Sequence, residues 1–155
     1  MMDLDKEELT KEVGHFLEGL LKGTGLDLEF RCQPDGQVIT VWLSGDDSPM
    51  VVSNNGRLLY AINHLLNRAF YEKSPHQCNF VVECNEYRAT RAVELEELAR
   101  TAAEKVKGSG DLLPMDPMPA SERRVIHLAL AQEPGVRTES EGAGIQRRVV
   151  ILPAS

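Results

Sequence analysis

The residues best suited to chemistry in this sequence are an arginine and a histidine four positions apart, Arg123 and His127. On a helix this spacing puts both side chains on one face, about one turn apart. A guanidinium can grip a phosphate through two parallel hydrogen bonds, and an imidazole beside it can contact a sugar or a base. Arg124 lies about 100° further round the same helix. The pair therefore suggests a ligand that carries phosphate, although a solvated helix face has the same spacing.

Two strands predicted after this helix add further candidates. Thr138 and Ser140 alternate onto one face of the first strand. Arg147 and Arg148 on the final strand point to opposite faces, so at most one of them joins the same patch. The candidate residues in the tail are completed by Ser140, Arg147 and Arg148.

The positions of apolar residues and turn residues predict the elements that carry these side chains. In the tail they indicate a helix and two strands after a Pro- and Met-rich connector. Upstream they indicate three helices, a β-hairpin and a third strand. The predicted helices are 5–22, 57–73, 87–107 and 121–132, and the predicted strands are 26–32, 37–44, 79–85, 136–140 and 146–152.

The tail resembles the R-three-H domain, which is named for an Arg and a His separated by three residues. The matching stretches are Glu122–Leu130, Thr138–Gly142 and Arg147–Pro153. Their order and spacing are similar to those in the bacterial Jag (SpoIIIJ-associated) family. The resemblance implies binding of single-stranded nucleic acid, with Arg123 and His127 at the binding surface.

The upstream part resembles the type II KH domain that precedes the R-three-H domain in that family. Phe16–Leu21 with Gly25–Leu26 resembles its opening, and Tyr87–Arg91 resembles its closing helix. The resemblance implies an α+β (α/β) fold: a three-stranded sheet packed by helices, then short helices with a small sheet. The expected layout is a KH domain over 1–107, a linker over 108–118 and an R-three-H domain over 119–155. We expect the N-terminal Jag domain to be absent.

The main departure from the family lies in the Gly-x-x-Gly loop with which KH domains bind a nucleic-acid backbone. Here the loop reads Ser53, Asn54, Asn55 and Gly56, so the first glycine and the basic residues are missing. Asn tolerates the left-handed region better than most residues, so the loop can still form. Two interpretations stay open, a weakened KH loop and one that still binds, with Arg57 as a replacement phosphate contact.

The helix after this loop carries a second candidate surface. One strip of it presents arginine, tyrosine and histidine, a combination that suits phosphate contacts and base stacking. An ordinary solvated face is the alternative. Tyr60 is the residue of this strip closest to the loop besides Arg57, and the strip comprises Arg57, Tyr60, Ala61, His64, Arg68 and Tyr71.

The formal net charge of −7 excludes a uniformly basic nucleic-acid-binding surface. Residues 114–155 are nevertheless neutral, with arginine as their only cation, so residues 1–113 hold the whole negative excess. The chain shows no secretion signal and no apolar run of about 18 residues or more, which predicts a cytoplasmic protein without membrane insertion.

These observations predict a non-enzymatic protein that binds single-stranded RNA or DNA, RNA in the first place, led by the R-three-H module. The alternative is a protein-interaction adaptor whose KH domain has lost RNA binding. Its partner would be another small KH protein or a second copy of the chain. A hydrolase that uses His127 is disfavoured, because no nucleophile or metal set accompanies this histidine. No cofactor and no metal are expected.

Overall fold

Helix α1, Lys6–Thr24, is the first element of the computed structural model, which describes residues 6–74 and 78–155. Its buried side chains recur every four residues, so they form one stripe against the core. They are Leu9, Val13, Leu17 and Leu21. Glu7 and Glu8 in the first turn and Lys22 in the last complement the helix dipole. The predicted first helix is confirmed.

A three-stranded sheet follows α1. Strands β1, Glu29–Asp35, and β2, Val38–Ser44, pair antiparallel as the predicted hairpin. Gly36 in the turn takes a φ of +56°, a conformation that glycine adopts without strain. Strand β3, Asn79–Cys84, pairs parallel with β2, which is therefore the central strand.

Helix α2, Ser48–Phe70, packs on this sheet and is interrupted at residues 53–56. Its first turn, 48–52, was not predicted, and its second arm ends at Phe70 rather than at Lys73. Asn67 donates to the carbonyl of Phe80 at 2.8 Å and accepts from its N–H at 3.0 Å. This amide satisfies the open edge of β3 and holds α2 in register beside it.

Two apolar residues of α2 that lie outside its polar strip, Leu65 and Ala69, are exposed rather than buried. Leu65 is 45% exposed, whereas Leu59, Ile62 and Leu66 are buried. At about 100° per residue, Leu65 borders the polar strip that begins at Arg57, so it lies at the edge of the buried face.

Helix α3, Tyr87–Ser109, begins at the boundary between two units, residues 1–87 and 88–155. Its buried residues Leu95, Ala99 and Val106 belong to the core of the second unit. The predicted layout instead assigned this helix to the first domain and ended that domain at residue 107. The difference arises because the buried apolar residues of this helix pack in the core of the second unit, whereas Tyr87, at its first position, packs on the core of the first.

The second unit also holds a three-stranded antiparallel sheet in the order β4-β6-β5. Part of the predicted linker is structured, since Leu113–Pro114 forms β4 and Met115 N–H donates to the carbonyl of Val149 at 2.9 Å. The remaining elements are α4, Ala120–Leu130, β5, Val136–Glu141, a short 3-10 helix, Gly144–Gln146, and β6, Arg148–Pro153.

Both units combine helices with a small sheet, so the predicted α+β class is confirmed. Among the helices that the structure describes, none has the length and apolar character needed to span a membrane.

Candidate nucleic-acid interface

The face of α4 that meets β5 carries the predicted Arg-His pair. Ile126 and Leu130 anchor the helix in the core of the second unit. This anchoring turns Arg123 and His127 toward the strand, where Thr138 and Ser140 project from one face. The structure therefore brings together two cationic-type side chains from a helix and two hydroxyls from a strand.

The hydroxyl of Ser140 connects the two members of the pair. Arg123 Nη1 donates to Ser140 Oγ at 3.3 Å, and His127 Nε2 lies 2.9 Å from the same oxygen. On the other side of the ring, His127 Nδ1 lies 2.7 Å from Thr138 Oγ1. Both ring nitrogens are thus engaged, and the imidazole is held in one orientation.

The guanidinium of Arg123 is held from two sides. Besides its bond to Ser140, its Nε donates to the carbonyl of Met118 at 3.2 Å. A guanidinium has five N–H donors, so these two bonds leave further donors for a ligand. The side chain is half-buried, which strengthens its electrostatic interactions relative to an arginine in bulk water.

Burial, and then the positive charge of Arg123, lowers the pKa of His127 below its ordinary value. The imidazole is therefore neutral near pH 7, with one nitrogen donating and the other accepting. An anion placed against it would favour the protonated form. The cluster can thus gain a second positive charge when a phosphate approaches.

The other predicted arginines of the tail stand apart to different degrees. Arg148 pairs with Glu141, with Nη2 at 2.9 Å from the carboxylate, and both lie on the face of the sheet opposite Ser140. Arg147 is exposed and donates to the carbonyl of Gly142 at 3.0 Å. Arg124 is exposed on α4.

Two groups of this cluster were absent from the predicted set. Thr138 was noted only for its face of the strand, and the Met118 carbonyl gave no signal in the sequence. Strand alternation with Ser140 could have identified Thr138. Met118 lies directly before α4 and is also tied to the final strand, since its N–H donates to the carbonyl of Arg147 at 3.2 Å, a long-range contact.

The loop in α2 takes an unusual backbone conformation. Asn54, Asn55 and Gly56 have φ values of +51°, +57° and +68°. As predicted, the asparagines adopt the left-handed region. Ser53, at the position of the first glycine, donates to the carbonyl of Met50 at 2.8 Å. The loop forms without its first glycine and exposes two neutral amides.

Gly56 is the one position of this loop that excludes a side chain. A Cβ atom there would lie 2.6 Å from Cε1 of Tyr87. Tyr87 in turn meets Tyr60 edge to face, with ring centroids 6.4 Å apart. The predicted stacking residue Tyr60 is thus half-buried and packs on Tyr87, whereas Arg57, directly after the loop, is exposed.

Comparisons with known proteins found similarity both for the second unit and for most of the chain. Residues 93–153 match the R-three-H domain model. The chain is 29% identical to the RNA-binding protein KhpB of Clostridium symbiosum over 148 residues. The alignment covers 94% of this chain and 67% of that protein. Identity to KhpB of Lactiplantibacillus plantarum is 27%, over 94% of this chain and 45% of that protein. KhpB of Bacillus subtilis is 23% identical, over 96% of this chain and 72% of that protein.

The chain spans between about half and about three quarters of the length of these relatives. Residues 93–153, in the second unit, are similar to an R-three-H domain, and the chain as a whole resembles the Jag family, as its sequence indicated.

Proposed function

We propose that this chain binds single-stranded nucleic acid, RNA in the first place, without catalysing a reaction. The observation that carries the proposal is the bridge that Ser140 makes between Arg123 and His127 within the R-three-H domain. The curated relatives named above are RNA-binding proteins, which favours RNA over other phosphate-bearing ligands. We further propose that the protein acts in the cytoplasm.

The cluster suits a phosphodiester because its guanidinium and its imidazole lie side by side, both in contact with Ser140 Oγ. Arg123 offers a charged, planar fork, and His127 offers a ring that gains positive charge beside an anion. Both side chains are already held by neighbouring groups. Binding therefore costs little side-chain ordering, which leaves more of the interaction free energy for affinity.

The first unit supports a weaker, second contribution. We propose that it is a type II KH domain and that residues 53–57 contact the nucleic-acid backbone. The exposed amides of Asn54 and Asn55 can donate hydrogen bonds, and Arg57 supplies one charge. Phosphate affinity depends strongly on Lys and Arg, so this loop should contribute less than a loop with two basic residues. Of the two interpretations of the loop, its low charge favours weakened binding.

A protein-interaction adaptor is the second candidate function. Its supporting observation is the uncharged pair Asn54 and Asn55 in a unit that carries the chain's acidic excess. Leu65 and Tyr71 add exposed apolar surface on or beside α2. The proposed partner is another small KH protein or a second copy of the chain.

Replacing both members of the pair tests the nucleic-acid proposal. In Arg123→Ala/His127→Ala we expect affinity for a labelled single-stranded RNA to fall about 100-fold at low salt, because each lost contact costs about 1–3 kcal/mol. Fluorescence anisotropy measures the affinity, and circular dichroism checks the fold. Arg124→Ala, an exposed arginine on the same helix, is the matched control and should lose far less.

Equal affinity of the double variant and the native chain would remove this cluster as the binding surface. RNA binding absent from the native chain, together with a stable complex with a small KH protein or a second copy, would favour the adaptor. Sedimentation of the native chain alone and with such a protein distinguishes these outcomes.

A further inference from the structure

The turn between β5 and β6 displays an isoleucine to solvent. Ile145 is 88% exposed, more than any other large hydrophobic side chain among the described residues. It belongs to the short 3-10 helix, where Gly144 and Gln146 flank it. Covering such an exposed apolar side chain with a partner lowers the free energy, because apolar surface is removed from water.

This turn is held in place by several hydrogen bonds. Gln146 N–H donates to the carbonyl of Ala143, and Arg147 N–H to that of Gly144, both at 3.2 Å. The Arg147 side chain closes the turn on Gly142 at 3.0 Å. Ile145 is therefore presented by a fixed backbone and not by a loose loop.

A short chain of bonds places the turn beside the Arg-His cluster. The carbonyl of Arg147 accepts from Met118 N–H, and the carbonyl of Met118 accepts from Arg123 Nε. One residue, Met118, thus separates the base of the turn from the guanidinium of Arg123. The exposed isoleucine lies two positions before Arg147, in the turn that these bonds connect to Arg123.

We propose that Ile145 is a base-contacting residue of the R-three-H domain, covering the face of a nucleobase whose strand runs over Arg123 and His127. The inference rests on the proposed function. A nucleobase combines an apolar face with a phosphate a few bonds away, which matches an apolar side chain beside arginines. Apolar side chains contact and wedge between bases in other nucleic-acid-binding proteins.

A protein partner fits this turn less well. A specific protein interface buries about 800 Å² per partner around an apolar centre. In the turn, Ile145 stands between glycines and polar or charged side chains, Gly142, Gly144, Gln146 and Arg147. A single apolar side chain with cationic neighbours suits one flat ring on a charged strand better than a broad apolar surface.

Variants at this position test the inference with two probes of equal charge. The probes are a single-stranded RNA and an oligonucleotide of the same length with abasic sites. We expect Ile145→Ala to bind the first about fivefold more weakly and the abasic probe as tightly as the native chain does. Ile145→Trp should bind the base-containing probe about fivefold more tightly, because an aromatic ring stacks on bases.

Leu112→Ala is the matched control. Leu112 is a large side chain that is 58% exposed. Its neighbour Leu113 pairs with Ile151, so it lies about four residues along β6 from the turn, or about 13 Å. This variant should bind both probes as the native chain does.

Several outcomes would overturn the inference. Unchanged binding by both Ile145 variants excludes the contact, and an equal loss for the two probes assigns Ile145 to the shape of the turn. A change in self-association by Ile145→Ala with no change in RNA affinity assigns the residue to a protein contact. If Arg123→Ala/His127→Ala also binds normally, the proposed function itself fails. If the double variant loses RNA affinity as expected while the Ile145 variants bind as the native chain does, only the inference about Ile145 fails.

Discussion

The cluster on α4 and the loop in α2 show two different ways to present polar groups to a ligand. In the cluster, side chains are held: Arg123 by Met118 and Ser140, and His127 by Thr138 and Ser140. In the loop, Tyr87 packs against Gly56 and Ser53 donates to the carbonyl of Met50, whereas the side chains of Asn54, Asn55 and Arg57 are exposed. Among the residues that the structure describes, Arg57 has no ion-pair partner.

The two regions differ in how many side chains must be ordered when a ligand binds. Ordering one long side chain on binding costs about 0.5–1.5 kcal/mol. Arg123 has largely met this cost on folding, whereas Arg57 must meet it when the ligand arrives. The half-buried position of the cluster also raises the strength of each charged contact. We therefore expect the second unit to dominate affinity.

The largest expected effect concerns the support of the cluster. Glu122, beside Arg123, is buried and lies 3.3 Å from Arg91 Nε. Glu122→Ala removes a buried carboxylate from Arg91, whose side chain is only 13% exposed, so we expect the second unit to lose about 3–5 kcal/mol of unfolding free energy. Urea unfolding measures the loss.

Glu94→Ala provides the control for this ion pair. Glu94 pairs with the same arginine at 3.2 Å but is 56% exposed. Exposed pairs contribute about 1 kcal/mol or less. Similar losses in the two variants would show that the Glu122 pair does not anchor the cluster.

The loop should depend on glycine at one position only. Gly56→Ala places a Cβ atom 2.6 Å from Tyr87 in a residue with a φ of +68°. We expect a loss of about 2–4 kcal/mol in the first unit from the left-handed backbone and the overlap together. Thermal unfolding measures the change. Gly19→Ala in α1, where no atom lies within 4 Å of the added Cβ, should instead stabilise by about 0.5–1 kcal/mol.

A positive charge added to the loop should increase its share of the RNA affinity relative to that of the cluster on α4. We expect Asn54→Lys to raise affinity for single-stranded RNA about three- to tenfold at low salt, because it adds one phosphate contact. The slope of log affinity against log salt should steepen by about 0.7. Asn54→Gln, which keeps the amide, is the control. An unchanged slope would mean that the loop does not face the phosphates.

The smallest expected effect is a pH dependence that belongs to the cluster alone. The lowered pKa of His127 keeps the free ring neutral near pH 7, and a bound phosphate favours the imidazolium. The complex then holds more protons than its free components, so affinity should rise about threefold from about pH 8 to about pH 6. His127→Gln should lose this dependence, and an unchanged profile would assign it to another group.

The same lowered pKa acts on stability in the opposite direction. The folded state binds fewer protons at His127 than the unfolded chain, so this residue reduces stability as the pH falls below about 6.5. Binding should therefore be compared only where circular dichroism shows the chain to be folded.

Sequence periodicity predicted most of the elements, because the buried stripes of α1 and α2 and the alternation in β5 repeat locally. It missed the helical turn at 48–52, which is too short to show a period. It also assigned α3 to the first domain. The apolar stripe of that helix was correctly recognised, but the sequence pattern alone does not indicate which of the two cores the stripe packs against.

Within the candidate interface, the sequence alone determined which groups can meet a phosphate, because the spacing of Arg123 and His127 on a helix settles their common face. It also determined that Asn54 and Asn55 can occupy left-handed backbone. Only the tertiary structure decided that Ser140 bridges the pair and that Arg148 instead turns to Glu141. The physical reason is that these contacts depend on the register of β5 against β6 and on the packing of α4, which join residues far apart in the chain.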